Sequence, residues 1–293
     1  MKYFPSRILF LVIISLAFCS ENEKYTFVYD DPVVGNITKH KVSEEISFTV
    51  PDIGYIQYAW TFTTIMEYIG KEGDFYKIKA TLTELENQNY INGMEILDPY
   101  RDAMEDKPCY LFVPIHDNDE IFGNDEVDHI KPVNPEHDYL LDAFGGAYMN
   151  VNPIHFKYPF SRFAVNVSAG DSWYSSYDSS KIYMNIGSPP SFVFGKTTWT
   201  LKKVKEKKGR KIAYVDVIEE INLEARILAV FLNERRLIVG NGAGKMESSF
   251  KWDMADTSIL SAKMATSVKG DFEMDGNTFS STFYLRQTMK KVK

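Results

Sequence analysis

Cysteine, histidine and positive charge are the scarce commodities of this 293-residue chain. Two cysteines exclude a disulfide-dense scaffold. The five histidines stand at 40, 116, 129, 137 and 155, with no pair at helical i, i+4 spacing and no His-Glu-x-x-His, so no zinc site is read. A net charge of −7 denies the Lys/Arg surplus that neutralises phosphates, which argues against nucleic acid as a partner. No run after the first twenty residues is long and apolar enough to cross a bilayer as a helix, which takes about 20 residues.

The amino terminus carries an export pattern. Lys2 and Arg7 form a positive region, Ile8 to Ile14 a short apolar run, and Ser15, Ala17, Cys19 and Ser20 a small-residue border. Residues 1–20 therefore read as a signal peptide, with cleavage after Ala17 or after Cys19. Leu16-Ala17-Phe18-Cys19 also resembles a degenerate bacterial lipobox, although Phe18 sits where that pattern has a small residue. Membrane contact is expected only if Cys19 is lipidated. Loss of residues 1–19 removes Lys2 and Arg7 and moves the charge from −7 to −9. Cys109, in Pro108-Cys-Tyr-Leu-Phe-Val113, reads as an inert thiol at the start of an apolar strand.

What the chain has in quantity is alternation. Ile46-Ser-Phe-Thr-Val50, Tyr76 to Thr83 and Met246 to Trp252 place apolar residues at every second position. Leu260, Ala262, Met264 and Val268 share one face, as do Phe279, Phe283, Leu285 and Met289. Turn chemistry at 70–74, 207–209, 253–256 and 275–277 separates the runs. The expected class is mainly β (α+β): a curved antiparallel sheet or incomplete barrel of meander hairpins, with one or two packing helices. The convincing helix begins at the cap Asn134, with Pro135 in its first turn and Leu140, Phe144 and Tyr148 as its stripe; a second spans Pro99 to Asp106.

The predicted organisation is a signal peptide (1–20), an N-terminal β unit (21–133), a helix and proline-rich connection (134–160) and a C-terminal β unit (161–293), or one domain continuous through both units. Placing Gly73 on Gly209 aligns two hairpins at an offset of 136 residues, which suggests a duplicated β unit.

Several pieces carry a resemblance: the signal, Tyr25-Thr-Phe-Val-Tyr29, a helix before a proline-rich bend, the Gly170-Asp-Ser-Trp173 turn, and Gly240-Asn-Gly-Ala-Gly244 in a C-terminal meander. In this order they resemble a family of bacterial secreted proteins and lipoproteins known as a domain of unknown function. In shape the chain is also similar to LolA-type lipoprotein carriers, which implies a curved sheet folded over helices around acyl chains.

Reactive constellations are few. In the acidic run Asp117 to Asp128, Ile121 and Phe122 stand where a calcium loop needs a ligand and a glycine, so a turn between strands is the better reading. Gly240 to Lys245 fails as a phosphate loop, because Val239 and Met246 occupy required positions. Glycine in a strand instead permits close backbone approach. No nucleophile elbow is present, since Ser172 lies in Gly-Asp-Ser-Trp. Neither an enzyme nor a cofactor is expected.

The compositional excess is aromatic: 20 Phe, 18 Tyr and 4 Trp. These rings either fill a core or line a cleft for lipid or another hydrophobic ligand. Trp60, Trp173, Trp199 and Trp252 are the candidate ligand-binding side chains. The expected function is an exported, non-enzymatic envelope protein binding an apolar or amphipathic ligand on a concave β surface. The alternative is a structural or adhesive envelope module with no small ligand.

Overall fold

The computed structural model describes residues 23–26, 33–51, 53–97, 102–114, 130–140, 166–182, 191–231, 234–256 and 258–292. The signal peptide with Cys19, the acidic run 117–128, His116, His129, His155 and the connection 141–160 lie outside the described residues.

Alternation becomes strand almost everywhere it was read. The strands are β1 (Lys24–Tyr25), β2 (Ile37–Val50), β3 (Gly54–Glu72), β4 (Phe75–Ile91), β5 (Met94–Ile96), β6 (Cys109–Pro114) and β7 (Ile130–Pro132). They continue with β8 (Val167–Ser168), β9 (Ser172–Ile182), β10 (Ser191–Lys207), β11 (Arg210–Phe231), β12 (Glu234–Asp253), β13 (Ser258–Met274) and β14 (Asn277–Lys291). Apart from the small β1–β8 pair, they form a 12-stranded sheet in the order β7-β6-β4-β3-β2-β14-β13-β12-β11-β10-β9, with β5 against β4. Every pairing is antiparallel, and the sheet does not close into a barrel: among the described residues β7 and β9 end its two sides.

The long hairpins follow from their turns. Asn92-Gly93, Lys208-Gly209 and Asp275-Gly276 have positive φ at both residues, the type I′ geometry whose twist suits flanking strands. The turn of β3–β4 is Gly73-Asp74, so Gly73 is the first turn residue where Gly209 is the second. The Gly170-Asp171 turn is clamped to β10: Gly170 N–H donates to the Leu201 carbonyl and Leu201 N–H to that of Asp171.

The described elements correct the helical expectation. Asn134 does cap, its Oδ1 accepting Glu136 N–H at 3.1 Å, but Pro135–Leu140 is 3₁₀ helix; Phe144 and Tyr148 lie outside the described residues. Of the second expected helix, Pro99 to Asp106, the described residues are Asp102, which is helical, and 103–106, which are turns.

β2 and β14, from opposite ends of the chain, lie side by side in the middle of the sheet and pair from His40–Lys291 to Ser47–Tyr284. Across this join the inner-face residues align into rows. Phe62, Val42, Met289, Ala262, Phe250, Val215 and Leu201 form one row over seven strands, each at most 5% exposed. Met104 and Leu140, together with Val167 of β8, belong to the same core.

The glycines of β12 serve this packing. Gly240, Gly242 and Gly244 share the inner face of Phe250 and oppose Phe272, Gly270 and Val268 of β13. A Cβ at Gly244 would run into the Ser267 carbonyl, and one at Gly270 into that of Asn241. The segment is a strand whose missing side chains let two backbones approach, as the failed phosphate-loop pattern implied.

Candidate functional site

All four candidate tryptophans enter the main core, at 2–8% exposure. Trp173 of β9 and Trp199 of β10 are register partners and stack, with ring centroids 6.3 Å apart and planes at 18°. Trp60 lies in the same lateral row, which runs Asn87, Trp60, Glu44, Gln287, Met264, Ser248, Val217, Trp199, Trp173 from β4 to β9. Trp252 sits between Ala213 and Ile259 on the next strands. The structure thus brings Trp173 and Trp199 into contact and holds Trp60 six strands from Trp199. Its ring neighbour is Phe62, 6.3 Å away.

That row is greasy at its ends and polar near the join. Glu44 is buried and accepts from Gln287 Nε2 at 3.0 Å, across the β2–β14 pairing. In the adjacent row Asn89 faces Tyr58, followed by Ile46 and Leu285. Asn89 is 1% exposed, and neither its Oδ1 nor its Nδ2 has a protein hydrogen-bond partner; Asn87 Oδ1 is also without one. Leaving such a group unsatisfied costs about 1–3 kcal/mol; Thr64 Oγ1 and His137 Nδ1 are in the same state, and Asn87 is half-buried.

A bulge puts them there. Up to Leu82 the even-numbered residues of β4 face inward: Tyr76, Ala80 and Leu82 are buried. The register then shifts against Thr61 and Thr63 of β3, Glu84 adopts φ 54°, and its carboxylate accepts from Thr63 Oγ1 at 2.8 Å. Past this point the parity is reversed, and Leu85, Asn87, Asn89 and Ile91 turn inward instead.

Toward this polar pair the β2–β14 join opens. Backbone pairing ends at Ser47–Tyr284, after which Phe48–Val50 is held by β3 and Asn277–Phe283 by β13. Ser281 bridges the gap: Thr49 N–H donates to its Oγ at 3.3 Å, and the hydroxyl donates to the Thr49 carbonyl at 2.8 Å. Half-buried rings line this fork. Phe48 lies 6.4 Å from Phe283 and 6.2 Å from Tyr58, and Phe272 lies 6.0 Å from Phe279. Tyr58 touches both this cluster and the main core, which makes it the link between the fork and Asn89. Phe48, Tyr58, Phe272, Phe279 and Phe283 are the functional candidates that sequence reading missed; the alternation gave their face but not their meeting place.

At the closed end of the join, His40 donates from Nε2 to the Ile259 carbonyl at 3.2 Å. Burial, opposed by that bond and aided by nearby Lys291, holds its imidazole below the ordinary value of 6.5. The outer face bears two open recesses of about 760 and 500 Å³ over β10–β14, lined among others by Glu224, Arg226, Asn241, Lys269, Asp271 and Glu273. Their charge suits no apolar ligand. Among the described residues no group of three or more His, Cys, Asp or Glu could hold a metal ion.

No family model matches the chain, and no curated protein matches it. Among solved structures it is similar to one described as lipid-protein interactions in lipovitellin, at 9% identity over 90% of this chain and a TM-score of 0.44. It spans about a quarter (26%) of that chain. P47 from Clostridium botulinum A2 gives 9% identity over 84% of this chain and 80% of that one, with a TM-score of 0.19. Salmonella typhi OmpF in complex with daunomycin gives 8% identity over 91% and 100%, with a TM-score of 0.19. Likeness at these values carries no argument about ligand or mechanism.

Proposed function

We propose that this chain is an exported, non-enzymatic envelope protein that holds an apolar or amphipathic ligand against the inner face of its sheet. The observation that supports it is the aromatic cluster at the fork between β2 and β14, on which Tyr58, the register partner of the buried Asn89, also packs. An apolar wall with a few convergent polar groups is the usual make-up of a small-molecule site. Affinity would come from apolar burial, at about 25 cal/mol per Å². The tryptophans named from the sequence then form the wall behind the site rather than its surface. Native mass spectrometry of the chain purified from its producing cell tests this: a retained lipid-sized adduct is expected, and a clean mass with an unchanged spectrum after lipid addition overturns it. Intact mass also tests export, since a product keeping residues 1–20 would remove that part of the reading.

The second reading is a structural or adhesive envelope module without a small ligand. It is favoured by the burial of all four tryptophans and by the charged lining of the outer recesses.

A further inference from the structure

We propose that the outer face of the sheet, at the end where β2 begins and β14 finishes, docks on the anionic lipid surface of a membrane. This contact is independent of the ligand reading above and needs no lipid on Cys19. Outer-face residues at that end align in a lateral row: Lys41, Lys290, Ser261, Lys251, Tyr214 and Lys203, on six successive strands from β2 to β10. The four lysines are exposed, and none has a carboxylate partner among the described residues. Lys203 and Lys251 flank the Tyr214 ring, their Nζ atoms 5.1 and 5.7 Å from its centroid. Lys39 and Lys263, exposed on the same face, widen the cationic area along β2 and β13. At about 4.8 Å per strand, Lys41 and Lys203 stand about 24 Å apart, too far for one small anion to bridge.

Apolar side chains adjoin the cations. Ile37 begins β2 in the same parity as Lys39 and Lys41, and Val292 N–H donates to the Lys39 carbonyl at 2.9 Å; the two are 53% and 38% exposed. The turn Val33–Asn36 is fixed on β3, where Gly35 N–H donates to the Tyr68 carbonyl and Tyr68 N–H to that of Asn36. It leaves Val33 and Val34 75% and 66% exposed. Aliphatic tips beside a field of lysines are what interfacial binding uses: the tips enter the head-group boundary while the cations meet lipid phosphates. A soluble polyanion would engage the lysines and leave the tips in water, so a lipid surface fits better. The net charge of −7 does not oppose it, because screening within about 8–10 Å makes a surface respond to the nearest patch. Carboxylates border the patch at Glu67, between Ile37 and Lys79 in register, at Glu84, which accepts from Thr63, and at Asp216, 3.6 Å from Lys202. At the far end of the face Asp271 and Glu273 line the larger recess, so the face is polarised and presents its β2-start end.

The test floats the full exported chain, carrying Cys19→Ser so that a lipid there cannot hold it, with vesicles of phosphatidylcholine alone or mixed equally with phosphatidylglycerol. Binding should be at least about tenfold tighter to the anionic vesicles and should be lost near 1 M salt, where the screening length falls to about 3 Å. Lys41→Gln with Lys290→Gln should weaken it about tenfold. Val33→Ser with Val34→Ser should weaken it about fivefold and keep the salt dependence. Lys269→Gln makes the same kind of charge change at the far end of the face and should leave binding within about twofold. Equal binding to both vesicles, no binding to either, an undiminished lysine pair or an equal loss from Lys269→Gln overturns the docking surface. A valine pair without effect, with soluble polyphosphate competing fully, overturns the lipid as occupant and points to a linear polyanion. The dependence on lipid charge and salt is read on the native lysines and valines, so a variant that fails to fold leaves the proposal refutable. None of these outcomes touches the ligand reading, whose failure is read separately by native mass.

Discussion

The two stretches of the β2–β14 join differ although their sequences alternate alike. From His40 to Ser47 the backbones are paired, and the inner-face residues Val42, Glu44, Gln287 and Met289 are buried. From Phe48 onward the strands part, the Ser281 hydroxyl spans the gap, and the inner-face rings Phe48, Phe279 and Phe283 are half-buried beside a buried Val50. Period-2 patterning decides which face a side chain takes; the neighbouring strand decides whether that face is sealed. A site can therefore arise in a β sheet simply where pairing stops.

The contrast can be broken by truncation. Phe62→Ala, in the sealed row beside Val42, should cost about 3–5 kcal/mol in urea denaturation, whereas Phe48→Ala at the fork should cost about 1 kcal/mol. Equal losses would mean that the fork is core like the rest. Gly244→Ala asks whether the backing of the free β14 segment matters, because a Cβ there meets the backbone of β13. It should destabilise by about 1–3 kcal/mol through forced separation of β12 and β13; no change would show that the strands can give. Ser281→Ala removes the bridge alone. A loss of about 1 kcal/mol is expected, with faster hydrogen exchange at the Thr49 amide and unchanged exchange at Ser43. If both amides respond, the two stretches are one cooperative unit.

The smallest effect is titrational and belongs to the closed end. Burial lowers the His40 value below 6.5 in the folded protein, so the unfolded chain binds the proton more readily. Stability is then full above about 6.5 and declines as pH falls from there through the lowered folded value. Lys291 and Thr64 are its cross-strand neighbours, and Lys291 sharpens the decline by disfavouring a second cation. His40→Gln should flatten the fall of thermal stability below about pH 6.5, by well under the Phe62→Ala effect; an unchanged slope would place the proton elsewhere.

Much of the architecture was legible in the sequence because it is local. Alternation gave the strands, and X-Gly pairs such as Lys208-Gly209 and Asp275-Gly276 gave the hairpins. The helix from Asn134 shows how far local signals reach: the cap was right, while the turn that follows it is 3₁₀. The site was not legible, for two physical reasons. Pairing of β2 with β14 depends on contacts between distant residues, with Glu44 and Gln287 separated by 243 positions. The bulge at Glu84 reverses parity without any glycine or proline to announce it, so the alternation of Tyr76 to Thr83, carried onward, would put Asn87 and Asn89 on the outer face. Tryptophans drew attention by their size, and their size is the reason they became wall.

The central join also has a consequence for biogenesis. The ribosome delivers β2 long before β14, and in the interval one edge of β2 has no strand to meet. A nascent chain of this topology carries an adhesive border through most of its synthesis. Whatever escorts it must shield that border until the late strand arrives to close it.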